Sequence, residues 1–283
     1  MRTLETALAA HLAYDAVIAG RSEPVDGGMI LRSSRFPASW DLNQVVLGPG
    51  ADAAAVARGV ALAEERLAGA DYRRVTVFGP AEEVVAPPGW ARLALLVMVL
   101  PEGEPVAWPP AVRIVDPASL HELRLEVWRG LAGPERAPQL ADMQRAFATG
   151  PGAQCLAVHA DGGAVAGWCQ VHAGGIDDVW VVERFRSRGL GKTLVLGAIA
   201  AGGWYLNCDI NDPRPQALYR KLGFRDAGLI VQLTRRVQGL GRPRTTPGRG
   251  GGPESRESSA PPRPAGPSWG AGAGGAWPAS SSV

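Results

Sequence analysis

The spacing Arg186-x-x-Gly189-x-Gly191, with Ser187, Arg188 and Leu190 between and Lys192 directly after, is suited to holding a phosphate. A β-branched run ending at Val181 and Val182 leads into the segment, and the apolar residues from Leu190 to Ala201 predict a helix leaving it. The first turn of a helix carries N–H groups without intrahelical acceptors, and the helix dipole adds partial positive charge there. Glycines let the backbone come close to an anion, and arginine or lysine side chains add charge. A Gly-x-Gly turn also serves many ordinary strand-to-helix connections, so the assignment needs a second, independent motif.

About twenty-eight residues on, Ala217-Leu-Tyr219-Arg-Lys-Leu-Gly223-Phe224 reads as a short helix closed by a glycine cap. Together the two motifs resemble the GNAT superfamily of acyl-CoA-dependent N-acyltransferases over residues 112–236. The resemblance implies an N-acetyltransferase that moves an acetyl group from acetyl-CoA to a primary amine by direct attack. It implies that the Arg186–Lys192 loop, following the fourth strand of that fold, grips the diphosphate of coenzyme A. The backbone of Val181 and Val182 would pair with the pantetheine arm. Tyr219 would be the general acid that protonates the leaving thiolate. The family's usual asparagine seven residues before this tyrosine is Asp212 here, with Asn211 one place earlier, so either residue is a candidate for the pantetheine contact. A noncatalytic acyl-CoA-binding sensor or structural module is the alternative reading.

An ammonium acceptor must lose a proton before or during attack. The resemblance implies that an acidic residue on the fourth strand takes it, often through water, and Asp177 and Asp178 are the only carboxylates there. Strand alternation sends them to opposite faces, and Asp177, sharing a face with Val179 and Val181, is the expected base. His172 is a further candidate, expected to be exposed near a turn. Cys155, Cys169 and Cys208 are an odd number in no metal-like spacing and read as small buried hydrophobes of a reducing cytosol. The expectations are therefore acetyl-CoA as cosubstrate, no metal, no covalent intermediate and a cytoplasmic location.

These residues need elements to place them. Leu4, Leu8 and Leu12 predict a first helix, Asp52 to Ala68 a second, and Arg74–Phe78 and Leu93–Leu100 buried strands. Four prolines between Pro101 and Pro110 mark a linker. Beyond it, strand, two helices, three strands, helix, strand, helix and strand follow to Thr234. The first half repeats the second faintly: Gly89-Trp90 stands where Gly223-Phe224 stands. Its Leu47-Gly-Pro-Gly50 turn, however, lacks the arginine, and Val85 takes the tyrosine's place. The expected fold class is thus α/β (α+β): tandem GNAT-like domains, each a mixed, mostly antiparallel sheet flanked by helices. Residues 1–104 would be a degenerate GNAT-like or accessory α/β domain, 111–236 the catalytic domain and 237–283 a disordered tail. The acceptor, a small-molecule amine or a protein or peptide N-terminus, would be chosen around Gly130–Pro138 and by the last strands.

The chain has 283 residues, 46% hydrophobic and 20% charged, with net charge +2. That basicity belongs to the last 47 residues, which hold 11 Gly, 8 Pro and five Arg against two Glu. Residues 1–236 are close to neutral, and Lys occurs only at positions 192 and 221, so a nucleic-acid partner is not expected. The longest apolar run, Leu93–Leu100, is far short of the ~20 residues of a membrane span.

Overall fold

A computed structural model describes residues 2–79, 84–236 and 281–282. The first half runs α1 (Leu4–Ala19), β1 (Arg21–Val25), β2 (Gly28–Arg32), β3 (Gln44–Leu47), α2 (Ala53–Arg66), β4 (Tyr72–Phe78), β5 (Ala91–Val99). The second runs β6 (Val112–Ile114), α3 (His121–Ala132), α4 (Ala137–Thr149), β7 (Gln154–His159), β8 (Val165–His172), β9 (Gly175–Val181), α5 (Leu190–Ala200), β10 (Tyr205–Asp209), α6 (Pro213–Lys221), β11 (Arg225–Arg236). The sequence reading missed β1, an edge strand where Pro24 removes no ladder hydrogen bond needed by a second neighbour. The predicted tail lies outside the described residues, except that Ser281–Ser282 (β12) runs parallel to β9 opposite Val179 and Trp180.

The two halves share one sheet instead of forming two. Its order is β1-β2-β3-β4-β11-β5-β10-β9-β8-β7-β6, so β5 of the first half sits between β10 and β11 of the second. Conversely, β11 separates β4 from β5, with antiparallel pairing throughout β4–β11–β5–β10. The halves follow the same order, α1-β1-β2-β3-α2-β4-β5 against α4-β7-β8-β9-α5-β10-β11, except that α6 stands between β10 and β11 with no counterpart among the described residues between β4 and β5. Even the turns match. Gly89 and Gly223 are both left-handed, at φ 79° and 94°, and each precedes a buried aromatic, Trp90 or Phe224, at the entry to an exchanged strand.

Strand alternation sorts the side chains into two layers. On β5, Ala94 packs with the core under α2, and Leu96 and Met98 with the core under α5 and α6. Leu95 and Val97 of the same strand face α1. Helices α1, α3 and α4 therefore cover the other face, where α1 docks on α4 through the Tyr14 hydroxyl donating to the Phe147 carbonyl at 2.5 Å. Glycine at 150 permits that approach, since a Cβ there would lie 2.2 Å from the Tyr14 hydroxyl. No helix among the described residues is long and apolar enough to cross a membrane.

Candidate active site

The parallel strands β9 and β10 share a single residue pair, Tyr205↔Gly175, and then separate. In the first half the equivalent strands β3 and β4 pair at three successive positions, 45↔75, 46↔76 and 47↔77, so that seam is closed. Only the second half has a gap. Val182 donates its amide to Ala166 of β8 at 2.9 Å, and its carbonyl accepts from Phe185. Because strand amides alternate, Val181 faces the gap side instead, where its carbonyl accepts from Arg186 Nε at 3.1 Å. An extended chain fits this edge: β12 occupies part of it.

Beside the gap, the loop to α5 turns through two left-handed residues, Ser187 (φ 61°) and Gly189 (φ 77°). Gly189 caps α5 without a side chain, and Thr193 is the first amide to reach a helical acceptor, Gly189 O at 3.1 Å. The amides of Leu190, Gly191 and Lys192 thus point out of the helix end. Arg186 holds the loop to β9 and stacks its guanidinium over Trp180 at 5.6 Å; Arg188 lies over Phe185. The first half again differs. Asp52 caps α2, its carboxylate accepting from Ala55 N at 2.7 Å, which fills with negative charge the place a phosphate would take.

Tyr219 is fully buried, 0% exposed, packed on Phe224 in the core under α5 and α6. Asp212 is the N-cap of α6, accepting from Arg214 N at 3.1 Å and pairing with the Arg214 side chain. Asn211 is exposed, its amide bonded to Asp209.

On the opposite face of the sheet, a cavity opens over β9 and β10. Its wall includes Asp177, Asp178, Trp180 and Asn207. The expectation that Asp177 and Asp178 face opposite sides fails. A bulge in β9 against β8 and a left-handed Asp178 (φ 52°) bring both to the cavity, while Ile176, Val179 and Val181 belong to the core under α5. Asp178 is not free for proton transfer: it binds buried Arg124 at 3.1 Å, Trp168 Nε1 at 3.0 Å and Gln144 at 2.9 Å. Burial pushes its carboxyl up to about 6, with Arg124 opposing. Asp177 is a third exposed, and its carboxylate lies 3.7 Å from His172 Nε2. His172 is buried, not exposed, stacked on Tyr14 at 4.4 Å because α1 covers the end of β8.

Sequence reasoning missed the first half's share of this wall: His11 and Asp15 of α1, Trp40, Asp41 and Arg74. An aspartate inside an apolar helix face and an arginine inside a β-branched strand were the available signals. Of the expected Gly130–Pro138 stretch, Leu131 lines the cavity and the Gly133–Arg136 turn does not; Trp128 of α3 and Met143 and Phe147 of α4 line it as well. All three cysteines are buried, and burial raises Cys155 to about 11 and Cys208 to about 12, so neither is a thiolate at neutral pH. Among the described residues, no group of three or more His, Cys, Asp or Glu is placed to hold a metal ion.

No curated protein matches the chain in sequence. Among solved structures, a GCN5-related N-acetyltransferase from Kribbella flavida is 19% identical with TM-score 0.53, over 85% of this chain and 98% of that one. A protein assigned to the GNAT family from Novosphingobium aromaticivorans is 17% identical with TM-score 0.53, over 80% and 96%. A functionally unknown conserved protein from Staphylococcus epidermidis reaches TM-score 0.56 at 14% identity, over 76% and 94%. These likenesses are of fold. The family model for the acetyltransferase (GNAT) domain matches residues 151–226, the stretch that contains β9, the glycine loop, α5 and Tyr219. The gap, the loop and the match coincide, and this part of the chain has the GNAT fold and matches the GNAT domain family.

Proposed function

We propose that the protein transfers an acetyl group from acetyl-CoA to a primary amine, and that the second half alone binds the coenzyme. The observation that carries this is the β9–β10 gap, with the bare end of α5 following β9 and the carboxylate-lined cavity lying over the same two strands. The diphosphate would take the amides of Ser187 to Lys192, with Arg188 and Lys192 supplying charge. The pantetheine arm would pair with Val181; Val182 is committed to β8, and Asp212 to capping α6, which leaves Asn211. The thioester would then lie in the gap, with the amine approaching from the cavity.

Asp177 takes the proton from the ammonium, directly or through water. The amine nitrogen bonds to the thioester carbon, backbone N–H groups of β9 stabilise the oxyanion, and the C–S bond breaks. Tyr219, on the coenzyme face, gives its proton to the departing thiolate, and the second proton shed by the new amide nitrogen passes through water to restore the phenol. With no ionised thiol to act as nucleophile, the transfer is direct. Tyr219→Phe is expected to lower kcat by roughly 10²–10⁴ while leaving acetyl-CoA affinity unchanged. A near-normal kcat in a thiol-release assay removes Tyr219 from the mechanism.

A noncatalytic acyl-CoA-binding module is the second reading, favoured by the complete burial of Tyr219. Calorimetric binding of acetyl-CoA without thiol release on any amine would decide for it.

A further inference from the structure

The cavity wall belongs to both halves, and its chemistry describes what enters. Trp40 of the first half and Trp128 of the second meet edge to face, 5.8 Å apart, giving an aromatic wall across the junction. Between that wall and β9 stands Asp15. It is 1% exposed, neither carboxylate oxygen accepts a hydrogen bond, and His11 Nε2 lies 3.4 Å away. A buried carboxylate without hydrogen bonds is costly unless a ligand completes it.

The other charges are already committed. Arg74, 2% exposed, binds Asp41 at 2.7 Å and Thr234 at 3.3 Å and stacks on Trp40. Arg124 holds Asp178 from behind the wall. The lining residues include Asp15, Asp41, Asp177 and Asp178 against one arginine and no lysine. An acceptor bearing its own carboxylate would bring another anion into this wall with no uncommitted arginine or lysine to meet it.

We infer that the cavity is the acceptor site, and that it takes a small amine without a carboxylate, its ammonium held by Asp15 and its apolar body against Trp40 and Trp128. This rests on the acyl-transfer reading above. It assigns the half without a coenzyme loop a definite role: it selects the acceptor. Asp15 here is a binding residue that touches substrate, distinct from Asp177 at the reacting nitrogen.

The test compares amines with the amino acids of the same skeleton: 2-phenylethylamine with phenylalanine, and tryptamine with tryptophan. Calorimetry first measures acetyl-CoA binding to the full chain; absence of binding overturns the acyl-transfer reading itself. With acetyl-CoA bound, kcat/KM is expected to favour each amine over its amino acid by about 10² or more. Asp15→Asn should raise KM for the amines at least tenfold, leave KM for acetyl-CoA unchanged and narrow the amine-to-amino-acid ratio. Trp40→Leu should raise KM for tryptamine more than for ethylamine. Equal use of amine and amino acid, an unaltered ratio in Asp15→Asn, or no heat from either amine with the acetyl-CoA-loaded protein overturns this assignment and leaves the coenzyme site standing.

Discussion

Asp178 and Asp15 are both buried aspartates beside one cavity, and their surroundings separate them. Asp178 receives Arg124, Trp168 and Gln144, so it fixes the bulge that turns Asp177 toward the cavity. Removing Arg124 leaves that carboxylate without its countercharge. Arg124→Met should destabilise the fold by roughly 3–5 kcal/mol in urea unfolding, the usual cost of breaking one side of a buried pair. A loss below about 1 kcal/mol would show that the bulge does not depend on the pair. Asp15 has no such partner, and burial pushes its carboxyl from 3.8 up to about 7, with His11 opposing and Asp41 and Asp177 reinforcing the rise. The sign follows directly. Between those values the unfolded chain has released a proton the folded chain keeps, so stability falls as pH rises and levels off above about 7. Asp15→Asn removes this dependence. Its advantage over wild type should grow from pH 4 to pH 7.5, by roughly 1.4 kcal/mol per pH unit at most. A constant difference across that range in paired denaturation curves would mean that Asp15 is solvated.

Two helices at corresponding places in the two halves, α2 and α5, show what makes an anion site at the scale of an element. Both follow a parallel strand, yet α2 begins with a carboxylate cap and α5 with a bare left-handed glycine. Gly189→Asp transplants the first arrangement onto the second; aspartate tolerates left-handed backbone better than most residues. The expected outcome is a melting temperature within a few degrees of wild type and acetyl-CoA affinity weakened at least tenfold by calorimetry. Unchanged affinity would move the diphosphate away from the α5 end. The converse change, Asp52→Gly, should create no second coenzyme site, because β3 and β4 remain paired and leave no gap.

Strand exchange sets the behaviour of the whole molecule. With β5 between β10 and β11, and β11 between β4 and β5, neither half has a complete sheet of its own. Arg136 reinforces the junction, reaching Asp71 at 3.3 Å and the Tyr72 hydroxyl at 2.9 Å. The chain should therefore unfold in urea as one cooperative unit. A fragment of residues 111–236, despite carrying the whole Arg186–Lys192 loop, should remain unfolded or aggregate, since its β10 and β11 would expose unpaired edges. Native-like circular dichroism from that fragment would show that the second half folds independently of β5.

The sequence by itself pointed to the stretch that the GNAT domain model matches. A glycine loop and a tyrosine segment act through local geometry, helix ends and turns, which short spacings encode. It also disclosed the faint repeat, because Gly89-Trp90 and Gly223-Phe224 make the same left-handed entry to a strand. Only the tertiary structure decided the cavity on the other face of the sheet. The bulge that reverses Asp178, the stacking that buries His172 under Tyr14, and the arrival of Asp15 and Trp40 beside Trp128 all depend on pairings between residues about a hundred or more positions apart, or on backbone strain at one residue. Such contacts leave no periodicity in the chain, so the glycine loop and the tyrosine segment were legible and the cavity wall was not.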